Sequence, residues 1–244
     1  MAAPVLVQQN TVATSTNGPA SIAAALSGAS TAGNFLVMVV AVLSSNPDAA
    51  ITTPAGWTLV STILNAASTR LLKVFTFPNC TVLTTVTVTI TNTTGSAVAY
   101  MAEFSGMGTN PPIEQNTVST GTADGASIPP AKQFTPPTTI GAIWLYALNA
   151  NATYTPANTQ EFGAAQGGVA TVATALARLT VFVAITNGPG QEQNGGTLTN
   201  TNIYCMAVIR FSGTSGPIGY GAGGVVQTLA GNGSPNMFGG FSNG

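Results

Sequence analysis

Between Thr85 and Thr91 the chain alternates strictly, Thr-Val-Thr-Val-Thr-Ile-Thr, and no other feature restricts its fold as tightly. A period of two puts the valines and the isoleucine on one face of an extended strand and every threonine on the other, a pattern a helix cannot use. Further β-rich runs span Val5 to Val12, Phe35 to Leu43, Trp57 to Leu64, Arg70 to Phe77 and Ala97 to Phe104. Turn formers separate them at Asn17-Gly18, Asn46-Pro47, Pro54-Ala55-Gly56, Pro78-Asn79 and Thr94-Gly95. Helical periodicity is confined to one Ala-rich candidate, Gly168 to Ala177, which reads equally as a loop entering a strand. The expected class is all-β.

The pattern also repeats. Gln9-Asn10-Thr11-Val12 returns as Gln115-Asn116-Thr117-Val118, and Ala20-Ser21-Ile22 as Ala126-Ser127-Ile128, both 106 residues on. Gly33 before Phe35-Leu36-Val37 corresponds to Gly141 before Ile143-Trp144-Leu145, and Thr53-Pro54-Ala55 to Thr155-Pro156-Ala157. Arg70-Leu71 parallels Arg178-Leu179, and Phe104-Ser105-Gly106 parallels Phe211-Ser212-Gly213. Such a period is a duplication of about seven strands, far longer than one solenoid repeat. Two serial immunoglobulin-like sandwiches or one larger jelly-roll-like sandwich with interleaved halves would both fit. The second is preferred, because the connector Met107-Gly108-Thr109-Asn110-Pro111-Pro112 is only of turn length. The expectation is an antiparallel β-sandwich, jelly-roll-like, over residues 1–213, built from two duplicated halves at about 5–106 and 112–213. An extended Gly-rich C-terminal arm follows at 214–244.

Charge narrows the function classes. Only 5% of the 244 residues are charged and the net charge is -1, so five Lys and Arg give no footprint for phosphate neutralisation. Nucleic acid and anionic membrane are therefore not expected partners. The uncharged stretch from Ala20 to Leu43 is interrupted by Ser27, Gly28, Ser30, Thr31, Gly33 and Asn34, and its apolar run from Phe35 falls well short of the ~20 residues of a membrane span. No cationic region precedes an early apolar stretch, so a cleaved signal peptide is not expected either. Cys80 and Cys205 are expected to be buried free thiols, as in a protein made in a reducing cytoplasm.

The chain contains no histidine, which removes Ser-His-Asp and Cys-His catalysis and every His-containing zinc site. Of the acids Asp48, Glu103, Glu114, Asp124, Glu161 and Glu192, only Glu103 with Glu161 is conceivable as a glycosidase pair, and solvated acids are the better reading. Glu103 and Arg210 precede the Phe of equivalent Phe-Ser-Gly motifs; a cross-strand ion pair and two unrelated surface charges are equally admissible. Trp57, Trp144, Tyr146 and Tyr154 are read as core rather than as a sugar-stacking platform. Gly221-Ala222-Gly223-Gly224 lacks the Lys-Ser/Thr of a phosphate loop. No catalytic residue, metal ligand or cofactor is expected.

The succession Ala32-Gly33-Asn34-Phe35-Leu36-Val37, Pro54-Ala55-Gly56-Trp57-Thr58-Leu59-Val60, Thr69-Arg70-Leu71, Thr85 to Thr91 and Ala97 to Gly106 resembles a β-sandwich domain common in phage structural proteins and some bacterial surface proteins. The resemblance covers about residues 4 to 213 and implies fold and setting, with no catalytic residue to carry over. With the neutral exterior, it points to a non-enzymatic virion protein of a tailed phage, made in the host cytoplasm. A capsid decoration protein is the leading form; a tail or fibre protein binding carbohydrate or receptor is the alternative. Expected partners are copies of itself, a trimer among the options, and other virion proteins such as the major capsid protein. The candidate subunit contacts are Val225, Val226, Leu229, Met237, Phe238 and Phe241 in the arm, whose glycines let the backbone lie close to a neighbour.

Overall fold

The computed structural model describes residues 4–14, 18–43, 49–65, 70–108, 111, 113–123, 127–131, 142–150, 154–156, 168–173, 178–186, 194–198, 202–212, 219–220 and 226–227. Among them there is no helix, and every strand pairing is antiparallel. The first eight strands are β1 (Val5–Ala13), β2 (Ser21–Ala25), β3 (Phe35–Leu43), β4 (Ala50–Ile51), β5 (Thr58–Asn65), β6 (Arg70–Phe77), β7 (Thr85–Thr91) and β8 (Ala97–Ser105). They form a large sheet in the order β1-β8-β3-β6-β5 and a small one in the order β2-β7-β4.

The next eight are β9 (Ile113–Ala123), β10 (Ser127–Ala131), β11 (Ala142–Ala150), β12 (Tyr154–Pro156), β13 (Gly168–Ala173), β14 (Arg178–Thr186), β15 (Asn194–Leu198) and β16 (Asn202–Phe211). They form sheets in the orders β13-β14-β11-β16-β9 and β10-β15-β12. Adding eight to each strand number of the first two sheets reproduces these orders, read from the other edge for the large sheet. The Ala-rich segment at Gly168 is strand β13. Two short strands, β17 (Gly219–Tyr220) and β18 (Val226–Gln227), pair with each other.

Alternation builds the layers. Along β3, Phe35, Val37, Val39 and Ala41 enter one core while Leu36, Met38, Val40 and Val42 enter another, so the strand is buried on both faces. The second core lies between the large and small sheets of residues 5–105, where Ile22, Ala24, Val88 and Ile90 meet Met38, Phe75 and Met101. The first core is shared with the other large sheet: Phe35, Val74, Tyr100 and Phe104 are clustered with Leu145, Val181, Ala207 and Phe211. Phe35 and Phe211 meet edge to face across it at 5.2 Å. The opposite side of the second large sheet is covered too, since Tyr146, Leu148, Met206 and Val208 are buried.

The expected interleaving of the halves is not seen among the described residues, where no strand of β1–β8 is hydrogen-bonded beside a strand of β9–β16. Their strands are apolar on both faces, so each large sheet needs a cover on either side, and meeting face to face supplies one of them. The turns follow their residues. Gly56 takes a positive φ of 82° where Trp57 N donates to Pro54 O at 3.1 Å. Gly95 is demanded by space: a Cβ there would stand 2.2 Å from the Leu43 carbonyl oxygen.

Phe104 and Phe211 are both 0% exposed. Phe104→Ala or Phe211→Ala should each cost about 3–5 kcal/mol, because the stacked sheets cannot collapse into the void. Thermal melts of both variants indistinguishable from the native curve would contradict this assignment.

Candidate functional site

Three features of the molecule have functional bearing: a carboxylate clasp, a polar tether between the large sheets, and an uncharged outer face. The clasp begins with Glu103 on β8. Alternation turns Phe104 toward the shared core and Glu103 to the opposite side, where β1 and the segment 26–34 close over it, leaving it 0% exposed. Its Oε2 accepts from Gln8 Nε2 at 2.6 Å, and its Oε1 accepts from Thr31 N at 2.8 Å and from Asn34 Nδ2 at 2.6 Å. Gln8 is itself held, since its Oε1 accepts from Ser27 Oγ at 3.0 Å and Gly28 N at 2.8 Å. Gln8 follows a register shift between Leu6 and Gln8, an irregularity that sets the side chain opposite Glu103.

Burial alone would push the Glu103 carboxyl up, but the donors from Gln8, Thr31 and Asn34 outweigh it and hold the group below its ordinary value. With three donors on its two oxygens, the carboxylate ties β1 and the segment 26–34 to β8.

The tether lies at the far end of the shared core from Phe35. Arg70 Nη1, at the start of β6, donates to Asn149 Oδ1 on β11 at 3.3 Å. Asn149 Nδ2 donates in turn to Val42 O and Leu71 O, each at 3.3 Å. Cys205 Sγ donates to Arg70 O at 3.2 Å, and Asn65 Nδ2 reaches Tyr204 O at 3.5 Å. Arg70 and Asn149 are buried, and desolvation lowers the guanidinium from its usual value. Burial pushes the Cys205 thiol up to about 11 and raises that of Cys80 as well. Both cysteines are free and buried, as expected from the sequence.

The third feature is the outer face of the small sheet. Thr85, Thr87, Thr89 and Thr91 are exposed along β7, beside exposed Ser21 and Ala23 on β2 and Ala50 on β4. No charge interrupts it. Every charged residue whose side chain is described is wholly or partly buried: Arg70, Glu103 and Arg210 almost completely, and Lys73 with its Nζ donating to Ile51 O at 2.7 Å. No group of three His, Cys, Asp or Glu that could hold a metal occurs among the described residues, and no helix there is long and apolar enough to cross a membrane.

No protein-family model, no curated protein and no solved structure matches the chain.

Two sequence expectations need correction. Glu103 and Arg210 are neither surface charges nor partners of each other: Phe104 and Phe211 face the shared core from its two sides, so the two charges point away from it in opposite directions. Desolvation lowers the Arg210 guanidinium to about 10. Trp57 is buried against Phe77 and Tyr146 is wholly buried, as a core reading requires; the side chains of Trp144 and Tyr154, and Glu161, lie outside the described residues. So do Val225, Leu229, Met237, Phe238 and Phe241, while Val226 is paired with Tyr220 in β18. The sequence did not single out Gln8, Asn65 or Asn149, although Asn149 does interrupt the otherwise apolar run of β11.

The clasp gives a pH dependence with a definite sign. Because the folded carboxyl sits below its unfolded value, its stabilisation is complete above that unfolded value, near 4.5, and is lost as pH falls toward and through the folded one. Glu103→Gln should lose about 1–3 kcal/mol at neutral pH and show a flatter acid limb in denaturant titrations; an unchanged limb would place the acid sensitivity elsewhere. The thiols should be silent in the folded protein. A thiol reagent at pH 8 should label neither cysteine until denaturant is added, then both, and rapid native labelling would contradict their burial.

Proposed function

We propose that the chain is a structural protein of a tailed-phage virion, most specifically a capsid decoration protein that stabilises a shell through contacts with copies of itself and with the major capsid protein. The observation that carries the reading is the placement of charge among the described residues: Arg70, Lys73, Glu103 and Arg210 are wholly or partly buried, and the outer face of the small sheet shows Thr, Ser and Ala. A free soluble protein ordinarily keeps charge outside to remain dispersed. A neutral, hydroxyl-rich exterior suits a subunit whose surface is covered by neighbours at high copy number.

Two duplicated, jelly-roll-like halves are part of the same reading. Equal strand orders support it, as does the wrapping itself, with strands 1, 8, 3 and 6 in one sheet and 2, 7 and 4 in the other. The register irregularity after Leu6 in β1 is matched by one beside Ile113 in β9. Residues 214–244 are taken as the assembly arm, with Val225, Val226, Leu229, Met237, Phe238 and Phe241 as its contacts. So Gly-rich a segment has little apolar surface to offset an ordering cost of roughly 1–2 kcal/mol per residue without a partner. The tail-fibre alternative, a carbohydrate- or receptor-binding module, is weakened because Trp57 and Tyr146 are committed to the core rather than offered for stacking.

Sedimentation with empty heads of the phage that encodes the chain tests the assignment. The full chain should co-sediment, and should stay bound at 1 M salt, on the order of ten times physiological ionic strength, because the charged side chains among the described residues are buried and the packing of an uncharged face is not screened by salt. A chain lacking 216–244 should remain folded and monomeric but fail to decorate. Release by salt, or normal decoration by the truncated chain, would refute the reading, and specific signal on a glycan array would favour the alternative.

A further inference from the structure

The contacts between the two large sheets have a symmetry of their own. β1 lies against β13 and β5 against β9; β5 also meets β16 as β13 meets β8; β6 meets β16 as β14 meets β8; and β3 meets β11. Exchanging each strand for its counterpart eight places away turns these contacts into one another, and β3 with β11 into itself; the slight contact of β6 with β11, which has no counterpart of equal extent between β14 and β3, departs from the pattern. That is the signature of an isologous interface, in which patch i touches patch j and j touches i about a two-fold axis. In a two-fold dimer the two patches belong to different chains. Here they belong to one.

The polar groups at the seam break this symmetry. The registers Phe35↔Phe104 and Ile143↔Phe211 make Ala41 the counterpart of Asn149, and Val98 the counterpart of Cys205. Both counterparts are apolar members of the shared core. Asn149 therefore donates into the carbonyls of the first half, and accepts from Arg70, at a place where the symmetry-related position has only a methyl group. The position equivalent to Arg70, 107 residues on, is an alanine in the sequence, Ala177. In a first-with-first pairing, two Arg70 side chains would be buried with no Asn149 to receive them. In a second-with-second pairing, two Asn149 amides would lose their carbonyl partners. An unpaired buried polar group is a strong discriminator between otherwise similar pairings.

We propose that the seam is a two-fold assembly surface carried twice in one chain, that it fits the large sheet of another copy of this chain, and that the Arg70–Asn149 tether selects first-with-second pairing. The inference rests on the duplicated-half reading and is independent of the virion assignment. Within one chain the turn-length connector at 107–112 keeps the halves at a high effective concentration, so the free protein closes on itself. Where copies are crowded together, the same surface permits exchange, the first half of one copy closing on the second half of the next.

The test uses the full chain with a protease site inserted between Gly108 and Thr109, folded, purified and then cut. Native mass spectrometry of the cut protein should show complexes of one first and one second half. Mixing with an isotopically heavy preparation should yield crossed complexes. In the Arg70→Ala/Asn149→Ala variant, first–first and second–second pairs should appear, approaching roughly half of all pairs if no preference remains. Arg70→Lys, which keeps a donor, should restore first–second pairing. Lone halves, precipitation on cutting, or a complex that never exchanges would overturn the assembly surface. Strict first–second pairing in the double variant would overturn the tether while leaving the duplication intact. First halves that self-pair while second halves never do would instead count against the equivalence of the halves themselves.

Discussion

The apolar runs of β3 and β8 leave the protein little choice. A strand such as Phe35-Leu36-Val37-Met38-Val39-Val40-Ala41-Val42 has no face that tolerates water, so the sheet containing it must be sandwiched rather than merely backed. The small sheet with Ile22, Val88 and Ile90 covers one side. It is narrow, and the other side is closed by a sheet with the same requirement, through Leu145, Val181, Ala207 and Phe211. At about 25 cal/mol per Å² of apolar surface removed from water, covering two broad sheets with each other is the largest favourable term open to such strands. The connector, the clasp and the tether all act at the margins of that contact.

Among the described residues, charge is placed in the reverse of the usual arrangement, inside the fold. Burying Glu103, Arg70 and Arg210 is costly, and the cost is offset where hydrogen bonds replace lost water. Glu103 receives a backbone donor and two amides, so its anionic form is favoured despite burial. Arg70 is anchored to Asn149 at the end of the shared core, and Arg210 remains buried on the far side of its sheet. Each site fixes a geometry that apolar packing alone leaves free: which loop closes over the sheet, and how far one sheet slides along the other.

Much of this was legible in the sequence. The alternation of β7 and the apolar runs of β3, β6 and β8 located those strands, Pro54-Ala55-Gly56 located a turn with positive φ at Gly56, and Gly18 also takes a positive φ. β2 and β4 were not marked, because Ser21-Ile22-Ala23-Ala24-Ala25 is poor in strand formers and β4 has only two residues. The burial of Glu103 was illegible for a related reason: alternation assigns a charge to the outer face of a sheet with one dry side, and this sheet has two. The repeat was visible, but its register was not. Leu6 lies opposite Phe104 as Ile113 lies opposite Phe211, an offset of 107, so the identical Gln-Asn-Thr-Val tetrapeptides 106 apart fall one residue out of step. Likewise Leu72 faces Ala41 as Leu179 faces Asn149, which sets Arg70-Leu71 and Arg178-Leu179 one residue apart. A slip of one exchanges the two faces of a strand, so matching letters do not mark matching side-chain roles.

The asymmetry of the tether follows from the same geometry. Under the proposed two-fold pairing, equal sheets could combine in three ways, and apolar contacts such as Phe35 with Phe211 discriminate weakly among them because every pairing buries similar surface. Directional groups discriminate strongly, since an amide that loses its carbonyls is left unsatisfied in a dry seam. One asparagine suffices if its counterpart is apolar, and Ala41 meets that condition. The end of the seam near Asn149 can therefore afford to be polar on one side only, while the end near Phe35 stays apolar on both. On that proposal the seam draws its stability from the common part of the two sheets and its pairing preference from the part where they differ.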